Sequence, residues 1–261
     1  MEVATKHPII LVHGVALKDF KTFKAFGKIE SVLKEAGYDA YTARTDGFGK
    51  IETNAVQLKT YIEEILKESN AEKVNIVAHS KGGLDTRYMI DTLGLREKVA
   101  SVTFLCTPHK GSQIATKLYA LPSPIKHGIA LPLNFWYKIF GDEKPDVLEV
   151  CRHLTHSPDG VLNDFGDHDG IFMQSYSTTL KRSRDDFIMG IPLIFSRKFE
   201  ADSSDGMVSV ESSKFREYRG DCTDESVSHS EIVDFMANKK KKEKIYAFYL
   251  SLAEELEARG Y

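Results

Sequence analysis

No stretch of this 261-residue chain stays apolar long enough to cross a bilayer, which takes about 18 such residues in a row. A spanning segment is therefore not expected. The opening residues, Met1-Glu2-Val3-Ala4-Thr5-Lys6, lack the apolar core of a signal peptide. A secreted protein whose leader has been removed and a cytoplasmic protein both fit. Cysteine is scarce: Cys106, Cys151 and Cys222 are all there is. An odd count rules out a full disulfide framework and leaves room for one bridge. Cys106 stands in an apolar run, where a buried thiol is expected. Charge of one sign is also missing: 35 Lys and Arg against 38 Asp and Glu give a net charge of -3. Such a chain has no strong field to draw nucleic acid. Internal repeats and low-complexity linkers do not occur.

What is present suits a globular protein: 42% hydrophobic and 28% charged residues. A chain of this length can bury most of its apolar surface without staples, so residues 1–261 are expected to form a single domain. Its first hundred residues alternate between two periodicities. Pro8-Ile9-Ile10-Leu11-Val12 is a short unbroken apolar run ended by His13-Gly14, as in a strand buried on both faces. Residues 20–36 carry Phe23, Phe26, Ile29 and Leu33 at helical spacing, and Gly37 stops them. A second strand is expected over 38–45. Asn54 is placed to cap a helix over 54–68. Val74-Asn75-Ile76-Val77-Ala78 reads as another buried strand, a helix opens at Gly82-Gly83-Leu84, and a fourth strand follows over 99–106. The βαβαβαβ order predicts an α/β fold with a mostly parallel central sheet flanked by helices.

The alternation breaks over 112–170. That stretch holds Trp136, the one tryptophan, and five of the eight prolines: Pro122, Pro124, Pro132, Pro145 and Pro158. It reads as a partly helical lid or cap inserted over the sheet, with apolar surface left exposed. A strand is expected to return at Ile191-Pro192-Leu193-Ile194-Phe195. The last apolar spacing, Ile245, Phe248, Tyr249, Leu252 and Leu256, predicts a terminal amphipathic helix. The four lysines at 239–242 before it read as its solvated start, with contact to anionic lipid headgroups as the sharper alternative.

The chemistry concentrates in Val77-Ala78-His79-Ser80-Lys81-Gly82-Gly83-Leu84. Ser80 ends a buried strand and opens a helix, the context a nucleophile elbow requires. The turn strains the serine backbone and needs small residues two before and two after, here Ala78 and Gly82. It lifts the hydroxyl above the sheet and aims the Lys81 N–H, at a helix start, towards a developing oxyanion. A second donor is expected from the turn after the first strand, where Gly14 permits a sharp bend and the Val15 N–H can face Ser80. His13 is expected to hydrogen-bond within that loop. With this elbow the chain order is serine, acid, histidine. Of the nine histidines only His229 lies late, in the polar Ser226-Val227-Ser228-His229-Ser230-Glu231. His79 is expected to point away from the nucleophile. For the acid, Asp205 in Ser203-Ser204-Asp205-Gly206-Met207-Val208 is the first candidate and Asp202 its competitor. These groups would carry acyl transfer without a cofactor.

Four segments together resemble a known family: residues 7–14, residues 74–83, Thr107-Pro108-His109-Lys110-Gly111-Ser112 and Asp205-Gly206-Met207-Val208. They are similar to the bacterial triacylglycerol lipases of the Pseudomonas and Burkholderia type, within the α/β-hydrolase superfamily. The resemblance runs from residue 7 to about 235. It implies a triad of Ser80, Asp205 and His229, oxyanion donors Val15 and Lys81, lipid ester substrates and a mobile lid over 112–170 that makes transient contact with a lipid interface. It also implies a structural Ca²⁺ held by an acid two residues after the histidine, here Glu231, and by an aspartate upstream of the triad acid, Asp185 or Asp186. Carboxylate oxygens suit that ion. The sequence departs from the family pattern at Ala78, where a glycine is usual, and at Lys81, which brings a charge near the cleft. A soluble carboxylesterase, phospholipase or thioesterase with a fixed cap remains an alternative, as does a hydrolase fold used only for binding.

Overall fold

The computed structural model describes residues 5–15, 24–162, 170–196 and 203–261. Asp202 and His168, with residues 20–23 of the expected 20–36 helix, lie outside these described residues.

Three runs form the middle of the sheet: β1 (Ile9–Val12), β3 (Val74–His79) and β4 (Val99–Leu105), each buried at every position. Their side chains alternate between two cores. Ile9, Leu11, Val77 and Leu105 face one side with Phe26 and the helices α1 (Ile29–Glu35) and α9 (Lys239–Ala258). Ile10, Val12, Ile76 and Phe104 face the other, against α2 (Ile51–Ser69) and α3 (Lys81–Thr92). A sheet covered on both faces demands continuous apolar strands, which is why these segments do not alternate. With β2 (Ala40–Thr42), β5 (Phe172–Ser177) and β6 (Glu217–Asp221), the order is β2-β1-β3-β4-β5-β6, and every pairing is parallel. The expected α/β class, with a parallel sheet between helical layers, is what the fold shows.

Several local expectations are corrected. The segment 191–195 is helical, within α7 (Gly190–Ser196), which precedes the single-turn α8 (Val210–Ser213). Leu193 is buried while Ile191 and Ile194 are exposed, the one-sided pattern of a helix against a core rather than a two-sided strand. A five-residue apolar run cannot tell the two apart by itself. The strands that complete the sheet are β5 and β6, which are polar enough (Phe-Met-Gln-Ser-Tyr-Ser and Glu-Tyr-Arg-Gly-Asp) to escape a search for apolar runs. Asn54 is not a cap: α2 begins at Ile51, and the buried Asn54 side chain points inward. Lys241 is likewise buried rather than solvated. All three cysteines are buried and free.

Between β4 and β5 the chain forms α4 (Gln113–Tyr119), α5 (Ser123–Ile139) and α6 (Val147–His153). Helix α5 leaves Leu131, Phe135, Trp136 and Ile139 exposed. Among the described residues, no helix is long and apolar enough to cross a membrane.

Candidate active site

The carboxyl ends of the parallel strands bring three turns together. Ser80 sits between β3 and α3 with φ 56° and ψ -133°, a left-handed conformation that costs a non-glycine residue strain energy. Its N–H donates to Leu105 O at 2.9 Å and its carbonyl accepts from Gly83 N at 3.0 Å, so the strained turn is held at both ends. The turn after β1 packs directly on this elbow. A β-carbon added at Gly14 would lie 2.5 Å from Ser80 Cβ and 2.9 Å from Lys81 N, and one at Gly82 would lie 2.5 Å from His13 O. Only hydrogen fits at either place. His13 Nδ1 lies 2.9 Å from Gly14 O, within its own loop as expected.

His229 lies between the serine and an aspartate. Its Nε2 is 2.8 Å from Ser80 Oγ and its Nδ1 is 2.7 Å from Asp205 Oδ2. Asp205 is fixed from its other side: Oδ1 accepts the Met207 and Val208 N–H groups at 2.9 and 2.8 Å. The His229 N–H donates to Asp205 O at 3.0 Å, tying the two loops by their backbones as well. Asp205 cannot rotate without losing two amide donors, so its free oxygen stays on the imidazole. Of the earlier histidines, His79 packs against His229, ring centroids 4.6 Å apart. Burial, with His229 beside it, pushes the His79 imidazole well below its ordinary range and keeps it neutral.

The Lys81 charge is not in the cleft. Its side chain is wholly buried beneath the elbow, with Nζ 2.7 and 2.9 Å from the Asp85 carboxylate. Asn54 Nδ2 donates to the same carboxylate at 3.1 Å and to Asp46 O at 2.7 Å. Asp46 and Asp142 then accept backbone N–H groups across two loops: Asp46 from Glu143 and Lys144, Asp142 from Gly47 and Phe48. This buried polar chain braces the start of α3 and reaches the helices between β4 and β5. Burial pushes the Asp85 carboxyl up to about 6, even though Lys81 and Asn54 pull it down. Lys81 and Asp85 stand four apart on one helix, a spacing from which their contact could have been read.

A cavity of about 480 Å³ opens over Ser80 and His229. Phe48, Leu118, Tyr137, Val150 and Met207 line it, together with Val15. Only a few polar groups interrupt this apolar wall, and they converge on the serine, as in a pocket for an apolar chain with a reactive end.

The acids proposed for a metal ion do not fit one. Both Glu231 carboxylate oxygens lie against Lys241 Nζ, at 2.7 and 2.6 Å. Asp185 accepts from Arg182 Nε at 3.0 Å and from Ser226 Oγ at 2.7 Å. Asp186 accepts from the Ile188 and Met189 N–H groups and from Ser228 Oγ. A Ca²⁺ ion needs six to eight free oxygens, and at Glu231 it would meet an ammonium group instead.

A model of the palmitoyl protein thioesterase family matches residues 8–145, from β1 through α5, and so includes the elbow and the turn that packs on it. The chain belongs to the palmitoyl protein thioesterase family. It is also 38% identical over 173 residues to triacylglycerol lipases of Pseudarthrobacter phenanthrenivorans and Burkholderia plantarii. Those matches cover 61% of this chain and 54% and 48% of the two lipases, so the chain spans about half the length of these relatives. A metagenomic carboxyl esterase of known structure superposes with a TM-score of 0.74 at 16% identity, over 98% of this chain and 76% of that one. That likeness is one of fold: the family member described here has the α/β-hydrolase architecture.

Proposed function

We propose that this protein is a serine-dependent carboxylic ester hydrolase, a lipase acting on triacylglycerol-type esters. The observation that carries the reading is the unbroken chain from Asp205 through His229 to Ser80, set at the base of an apolar cavity. In this reading the His229 proton sits on Nδ1, facing Asp205, and Nε2 accepts from Ser80. His229 takes the Ser80 proton as Oγ attacks the ester carbonyl. Asp205 holds the tautomer and stabilises the imidazolium. The Val15 and Lys81 N–H groups receive the oxyanion. The imidazolium then protonates the leaving alcohol, and water, activated by the same histidine, releases the acid from Ser80. The chemistry needs no cofactor.

The bacterial relatives support a triglyceride substrate, as does the exposed apolar face of α5, which can rest on an oil–water interface while α4 to α6 cap the cavity. The family model favours a second reading, hydrolysis of acyl thioesters. A series from short soluble p-nitrophenyl esters to long-chain triglyceride emulsion, with a palmitoyl thioester alongside, separates the two. The lipase reading expects the emulsion to be the best substrate. A strong preference for short soluble esters or for the thioester defeats it.

A further inference from the structure

Lys241 lies in the first turn of α9, and Asn238 Oδ1 caps that turn by accepting its N–H at 3.1 Å. Its ammonium is held by both oxygens of Glu231, at 2.7 and 2.6 Å, and by the carbonyl of Asp185 at 3.1 Å. Lys241 and Glu231 are both buried. Glu231 in turn closes the loop that carries His229. Its Oε2 accepts the Ser228 N–H at 3.0 Å, and its own N–H donates to Ser228 Oγ at 3.2 Å. The Ser228 hydroxyl donates to Asp186. His229 is the residue between the two halves of this clasp.

We propose that Lys241 is a positioning residue for His229, an internal cation tethered to α9 that holds the 228–231 turn where the imidazole meets both Ser80 and Asp205. This rests on the reading of His229 as the base. A bound divalent ion could gather the same acids, but here folding delivers the cation: α9 is anchored on the sheet by Ile245, Tyr249 and Leu252, so the ammonium reaches Glu231 whenever the helix is docked. One ammonium balances one carboxylate, and the remaining acid oxygens are taken by hydroxyl, amide and guanidinium donors. Without the ammonium, Glu231 would be a buried, uncompensated charge. It would draw away to solvent or take up a proton, and the turn would lose its register.

The test compares wild type, Lys241→Met, the neutral pair Glu231→Gln/Lys241→Met and His229→Ala. Each is assayed on a soluble p-nitrophenyl ester and by thermal unfolding, with EDTA or with millimolar Ca²⁺. Wild type is expected to show the same kcat and the same Tm under both conditions. Lys241→Met is expected to lower kcat by about 10- to 100-fold with KM little changed, the signature of a displaced base. The neutral pair should regain Tm, because no charge is left buried, yet keep the low kcat, because the clasp is gone. The proposal is overturned if folded Lys241→Met keeps kcat within about twofold of wild type. It is equally overturned if the neutral pair recovers kcat together with Tm, or if wild type loses rate or stability in EDTA and regains it with Ca²⁺. If His229→Ala itself stays active, the base assignment has failed, and the loss is separable from any failure of the clasp.

Discussion

Gly14 has no room for a β-carbon, because Ser80 Cβ would be 2.5 Å away and the Lys81 nitrogen 2.9 Å away. Gly14→Ala must therefore push the β1 turn off the elbow. The expected result is a folded protein whose kcat/KM falls by about 100-fold, since a 1 Å displacement of a donor or nucleophile costs about that much; circular dichroism and ester hydrolysis check it. Ser80→Ala removes the hydroxyl assigned above as the nucleophile and replaces a left-handed serine with a residue of similar backbone cost. Hydrolysis of p-nitrophenyl esters should drop by about 10⁴-fold or more, with Tm within a few degrees of wild type. Activity held within a few-fold would remove Ser80 from its assigned role. Asp205→Asn keeps the shape but cannot hold the same tautomer, so a loss on the order of 10⁴-fold is expected in kcat.

At the scale of elements, helix α3 begins with a charge that never reaches solvent. Lys81 and Asp85 are both wholly buried and paired at 2.7 Å. Breaking such a pair on one side leaves an uncompensated charge and costs about 3–5 kcal/mol, whereas replacing both partners with apolar groups of similar volume is often close to neutral. Asp85→Leu is therefore expected to shift the urea midpoint sharply downward, and Lys81→Met/Asp85→Leu to recover most of the shift. If the double substitution is as unstable as the single one, the pair is needed for its Asn54 contact and the polar chain beyond it, not for charge balance.

For the whole molecule, pH acts through groups far apart in the sequence. Burial holds His79 and His109 well below the ordinary histidine range, with Arg87 adding to the effect at His109. Unfolded, each titrates near about 6.5. Their contribution is complete above that pH and is lost as pH falls, because the unfolded chain binds protons that the folded one refuses. Asp85 works in the opposite sense. Its carboxyl, raised to about 6, adds stability as pH falls from about 6 to about 4. Several depressed histidines against one raised carboxyl leave a net loss of stability as pH falls below about 6, measurable as urea midpoints, and His109→Gln should reduce it. The surface of the molecule makes a separate prediction. Phe135→Ser/Trp136→Ser removes exposed rings from α5. It should lower turnover of triglyceride emulsion by about 10-fold through lost interfacial burial while leaving hydrolysis of soluble esters nearly unchanged.

The parallel sheet and the elbow were legible because local rules govern them. A strand covered on both faces must be apolar throughout, as β1, β3 and β4 are, and a strained serine between strand and helix needs small neighbours, as at Ala78 and Gly82. Chain order alone separated His229 from eight other histidines. Other features had no local signature. The run 191–195 is short enough to satisfy either periodicity, and only packing made it helical. Strands β5 and β6 are polar and owe their place to the neighbours they pair with. The lysines at 239–242 look alike in sequence, yet Lys241 alone of the four is buried, turned inward by the docking of α9 onto Glu231. A backbone's preference for a turn, strand or helix is set within a few residues and can be read from them. Where a charged side chain goes depends on which distant carboxylate folding brings within about 3 Å, and only the tertiary structure decides that.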